Sequence, residues 1–108
     1  MTTATGNLFE SIPETIGEEI FSELARGKHM KIERILSKGQ SSPDSGWHDQ
    51  ENSEWVAVLQ GAATITFEDG ADVHLHTGSY LNIPAHTKHK VACTASETET
   101  VWLAVHYQ

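Results

Sequence analysis

The chain has 108 residues, with 15 Asp and Glu against 7 Lys and Arg, for a formal charge of −8. That length suits one compact unit with a modest core. The scattered cations exclude a nucleic-acid face or a basic membrane-surface helix, both of which need clustered positive charge.

The opening MTTATGNLFESIPE holds no apolar run of secretory type, and no stretch approaches the roughly 20 apolar residues of a spanning helix. A soluble, cytoplasmic protein with no nucleic-acid and no membrane partner is expected. The single cysteine, Cys93, allows no internal disulfide and is expected to be a small buried or half-buried hydrophobe.

In chain order, EEIFSELA (residues 18–25) fits a short amphipathic helix by propensity, yet Ile20, Ser22 and Leu24 also fit a strand. Gly27 and Lys28 form a turn. MKIERILS (Met30 to Ser37) alternates, with Met30, Ile32 and Leu36 on one side, and predicts a strand. Gly39 to Gly46 is a loop. Trp55 to Gln60 and Ala62 to Glu68 predict strands on either side of Gly61, and Asp69-Gly70 predicts a hairpin into Asp72 to His76. After a turn at Gly78 come strands at Tyr80 to Ile83, closed by Pro84, then His89 to Thr94 and Thr100 to Tyr107. Short strands at this spacing mean an all-β sandwich or barrel, and no crossover helix long enough for a parallel sheet follows residue 28.

Two fragments carry the chemistry. In WHDQENSEWVAVLQG (47–61), residues two apart on a strand share a face, so His48 and Gln50 point one way and Asp49 the other. A tight turn then brings the Glu54 carboxylate back toward the same pocket. In GSYLNIPAHTKHKV (78–91), Pro84 ends one strand and His89 opens its neighbour. Imidazole with carboxylate suits Fe, Mn, Ni, Cu or Zn.

Together these fragments resemble the two signature motifs of the cupin superfamily. His48, Gln50, Glu54 and Gly61 take the last four fixed places of the first motif; Gly78, Pro84 and His89 match the second. Ser42 stands where the first motif begins with Gly, Gln50 replaces its second His, His86 replaces a Gly and Cys93 a closing Asn. The resemblance implies a double-stranded β-helix, or jelly-roll barrel of the RmlC-like kind. Residues 30–108 would form the barrel and residues 1–29 an edge strand or short helix packing on it, one domain overall. It further implies a divalent transition metal held by His48, Glu54 and His89, with Gln50 offering an amide oxygen at the fourth place. A small-molecule ligand in the barrel pocket and a homodimer follow by the same analogy. The family's oxygenations, isomerisations and decarboxylations are all open, and so is a non-catalytic binding or accessory role.

Other residues are read separately. His74 and His76 alternate with Val73 and Leu75, the more natural inward residues, and are expected to face solvent. His86 is placed in water. His106 shares a strand face with Trp102 and Ala104, so Trp102, His106 and Tyr80 are candidate pocket residues, with Asn82 on the face of Tyr80. Trp47, Trp55 and Phe67 are expected in the core or barrel wall. Glu10, Glu14, Glu18, Glu19 and Glu23 read as a solvated surface. No Ser or Cys nucleophile with a positioned base is present.

Overall fold

The computed structural model describes residues 5–42 and 46–108; residues 43–45 of the loop expected over Gly39 to Gly46, and residues 1–4, lie outside the described residues. Eight strands follow one another: β1 Ile20–Gly27, β2 Met30–Ser37, β3 Ser53–Gln60, β4 Ala62–Phe67, β5 Asp72–His76, β6 Tyr80–Ile83, β7 His89–Thr94 and β8 Thr100–Tyr107. Among the described residues there is no helix, and so none that could cross a membrane. The segment that fitted both helix and strand is β1. Its backbone pairs with β2, from Ile20 opposite Leu36 to Gly27 opposite Met30, with a register shift between Glu23 and Ala25.

The strands form two antiparallel sheets, one of five in the order β1-β2-β8-β3-β6 and one of three in the order β5-β4-β7. Their facing sides bury Ile35, Val56, Val58, Trp102 and Ala104 from the first sheet against Ala63, Ile65 and Leu75 from the second. This is the all-β jelly roll expected.

β2 is buried on both faces, which the alternation of MKIERILS concealed. Met30, Ile32 and Leu36 do share a side, but it is the outer one: Leu36 packs with Ile16 and Val101, and with Ile12, Ile20 and Leu59 around them. The inner side carries Glu33, Ile35 and Ser37. Arg34, on the outer side, donates through Nη1 to the Leu8 and Glu10 carbonyls at 3.2 and 2.6 Å, which ties the N-terminal segment across the sheet.

Two irregularities decide where side chains point. The β4–β7 register shifts between Thr64 and Ile65, so that Ile65 faces Val91 but Thr64 faces Cys93. The extra residue, a β-bulge, breaks the alternation of β7. His89 and Thr94 are consequently buried while Cys93 is exposed, which corrects the buried position expected for that cysteine. At Gly61 the chain turns from β3 to β4 with φ at 93°, a left-handed conformation that glycine adopts without a Cβ clash.

Candidate metal centre and ligand pocket

Between the sheets lies a cavity of about 190 Å³. Its apolar wall includes Ile35, Val56, Ile65, Ile83, Val91 and Trp102, and its polar groups are Glu19, Glu33, Ser42, His48, Gln50, Glu54, His89 and His106. All four residues expected as metal ligands therefore reach one cavity, as do Trp102 and His106. Tyr80 does not. It is 69 % exposed and stacks on Trp55, with ring centroids 5.8 Å apart, because its place opposite Ala57 in the β3–β6 pairing puts it on the outer face. Asn82 is exposed there too and accepts a hydrogen bond from the Tyr107 hydroxyl.

Glu54 and His89 form the buried heart of the site, 8 % and 4 % exposed. His89 Nδ1 lies 2.8 Å from the Thr87 carbonyl. A carbonyl only accepts, so Nδ1 carries the proton and Nε2 is the atom turned toward Glu54, 3.9 Å from Oε1. Glu54 Oε2 faces His106 Nε2 at 3.8 Å, too far for a hydrogen bond. The carboxylate is thus nearly enclosed with two imidazoles beside it and no hydrogen bond among the described residues. His106 Nε2 instead donates to Glu33 Oε1 at 2.8 Å, and Lys31 stands 3.7 Å from the other Glu33 oxygen.

His48 joins through the backbone rather than a strand. Its N–H donates to the His89 carbonyl at 2.8 Å, and the reverse bond is 3.2 Å, so the two rings lie with centroids 5.6 Å apart. The exposed His48 ring points Nε2 at Ser42 Oγ, 3.3 Å away. That oxygen also accepts the Val91 N–H at 3.0 Å, so the His48 nitrogen that a metal would take is turned to Ser42. Gln50 is held by its main chain: the His86 N–H donates to the Gln50 carbonyl at 2.8 Å, and the His86 ring meets Asp49 at 3.0 Å. His48 and Gln50 stand on an irregular segment, not the strand expected; only His48 makes an isolated bridge. Among the described residues, no three His, Cys, Asp or Glu side chains converge closely enough to hold a metal ion. Two donors, Glu54 and His89, are in place. His48 would have to leave Ser42.

His74 and His76 are exposed on the outer face of β5, as expected, with Leu75 buried between them; His74 meets the Thr64 hydroxyl at 3.0 Å. His86 is exposed as well. Trp102 and Phe67 lie in or against the core, Trp55 is half-buried on the outside, and Trp47 is exposed beneath Lys90, whose Nζ sits 4.6 Å from its ring centroid.

Glu33 and Glu19 were not visible as site residues. The signal for Glu33 was its alternation with Ile35, on the side of β2 opposite the apolar stripe. Glu19, grouped with the solvated acids, is half-buried: Trp102 Nε1 donates to Ser37 Oγ at 3.2 Å, and Ser37 donates to Glu19 Oε2 at 2.8 Å.

Two antiparallel sheets enclosing a cavity lined by imidazoles and carboxylates define an all-β jelly-roll barrel. The cupin domain family matches residues 33–106, and the chain belongs to it. A protein of Ralstonia eutropha JMP134, provisionally named a mannose-6-phosphate isomerase, is 44 % identical, with a TM-score of 0.94 over 98 % of this chain and 99 % of that one. An RmlC-like cupin from Desulfovibrio desulfuricans is 21 % identical (TM-score 0.77, 98 % and 97 % covered). A cupin superfamily protein from Desulfitobacterium hafniense DCB-2 is also 21 % identical (TM-score 0.72, 89 % and 83 % covered). Those two likenesses bear on the fold alone. No curated protein sequence matches the chain.

Proposed function

We propose that the chain is a small-molecule-binding cupin that holds a divalent transition metal at Glu54 and His89, completed by His48 and Gln50. The observation that carries this is the Glu54 carboxylate, which opens onto the cavity with no hydrogen bond among the described residues and faces an imidazole whose proton is fixed on the far nitrogen. Holding a carboxylate largely away from water with only two distant imidazoles beside it is costly, and a cation between Glu54 and His89 would lower that cost. The donor types suit Fe, Mn, Ni, Zn or Cu. Thr87 acts as the outer partner that orients a ligating histidine. Once bound, such an ion supplies Lewis-acid polarisation of a ligand oxygen. The protein's own part is to present the ligand to Gln50, His106 and the Trp102 wall away from bulk water.

A second reading is a binding or accessory protein whose metal site has decayed. The bond between Ser42 and His48 favours it, since it occupies the third donor.

Elemental analysis of the protein as purified, and after dialysis against Mn, Fe, Ni, Zn or Cu, separates the two. The metal reading predicts close to one ion per chain, lost in both His89→Ala and Glu54→Gln and kept in a His74→Ala, His76→Ala double variant. No uptake of any of these metals would establish the second reading. Loss only in the double variant would move the site to the outer sheet.

A further inference from the structure

Beside the inner cavity lies a second, open groove of about 390 Å³, where the β1–β2 turn meets the segment before β3 and the end of β8. Gln50 and His106 line both, so the groove adjoins the cavity across those two side chains. Their charge differs in sign. Glu19, Glu33 and Glu54 line the inner cavity, whereas Arg26, Lys28, His29 and Lys31 line the groove, with Glu51 its one acid among the described residues. Three of the seven Lys and Arg residues of a chain of charge −8 thus gather round one groove.

Arg26 is paired with Glu23 at 2.6 Å, and Lys31 stands 3.7 Å from Glu33. The side chains of Lys28 and His29 have no ion pair or hydrogen bond among the described residues. Because Gly27 pairs with Met30, these two are the central residues of a tight hairpin turn, a place where Asn-Gly and similar pairs are preferred. Neither has a positive φ. Turn preference therefore does not account for a Lys and a His there, and both side chains are left to the groove.

We infer that the groove is an anion subsite of the ligand pocket, holding the carboxylate or phosphate head of a small ligand whose body passes between Gln50 and His106 toward the inner cavity. An oxyanion beside Lys28 and His29 gains donors and a locally positive field that the rest of an acidic surface does not offer. The ligand's other end is then free to lie along the apolar wall and reach the proposed ion. This rests on the reading of the inner cavity as a small-molecule pocket.

The test is calorimetric titration at about 10 mM ionic strength, where surface charges are little screened, with butyl phosphate, pentanoate, butanol and inorganic phosphate as probes. One of the two butyl-chain anions is expected to bind well above butanol, and the tighter of them identifies the head group. Butyl phosphate is expected to bind about tenfold tighter than inorganic phosphate, because its chain is buried against the cavity wall. Lys28→Gln is expected to weaken the preferred anion about fivefold. Lys88→Gln, which removes the same charge beside Glu68, should leave it unchanged, and so should prior dialysis against EDTA. Equal loss in both variants, or no loss in Lys28→Gln, overturns the subsite. Binding abolished by EDTA would put the anion on the ion instead, and inorganic phosphate binding as tightly as butyl phosphate would leave the body outside the cavity; either overturns the inference. Metal content measured on the same samples keeps the two readings apart: an ion taken up with no anion bound sinks the subsite alone, and neither bound sinks both.

Discussion

Leu36 and Leu24 carry the same side chain with opposite prospects. Leu36 is fully enclosed under Ile16 and Val101, whereas Leu24 is 47 % exposed at the register shift of β1. Leu36→Ala is expected to cost about 3 kcal/mol, the transfer term plus the cavity it leaves; Leu24→Ala should stay within about 0.5 kcal/mol. Denaturant midpoints at constant slope measure both. Equal effects would mean that the N-terminal segment does not seal the outer face of β2. At this scale the histidine–carboxylate set was legible because motif spacing alone carries it: His48, Gln50, Glu54 and His89 all reach one cavity. Glu33 and Glu19 were not, since an acid beside an apolar stripe reads as solvent-facing until the second face of the strand is known to be covered. Cys93 was misplaced by a bulge that no local composition marks. His86 stands where the family pattern has Gly, and it shows why: its φ is 61°, in the left-handed region that glycine prefers and histidine tolerates better than most.

The strands from β3 onward lie where alternation and turn residues placed them. β5, β6, β7 and β8 match residue for residue, because Gly61, Gly70, Gly78 and Pro84 punctuate the chain there. β1 was undecidable by pattern: its alternation is weak, its face is mostly exposed, and pairing with β2 is what decides it. Two of the punctuating glycines differ in a way that can be measured. At Gly61 a Cβ would fall 2.7 Å from the Thr100 Cα and closer still to its hydroxyl, while at Gly70 it would meet nothing within 4 Å; φ is near 95° at both. Gly70→Ala should therefore cost about 1 kcal/mol, the conformational strain alone. Gly61→Ala should exceed it by at least about 1 kcal/mol, because β3 and β8 must separate to admit the methyl group. Thermal unfolding of the two variants side by side checks this, and equal melting points would contradict the close approach of β8 to the turn.

At the scale of the whole molecule, a small two-sheet barrel has little apolar area to spare. This one nonetheless encloses two carboxylates, Glu33 and Glu54, and a histidine within a few ångströms of each other. Lys31 and His106 meet the charge of Glu33, and the charge of Glu54 is the one that the proposed cation would meet. A crystal soaked in Mn²⁺ or Zn²⁺ and measured at the metal's absorption edge tests this most directly. The account predicts an anomalous peak between Glu54 Oε1 and His89 Nε2, with the His48 ring turned away from Ser42 to meet it. Density placing the ion at His74 and His76 on the outer sheet, or an unoccupied site with His48 still on Ser42, would contradict it.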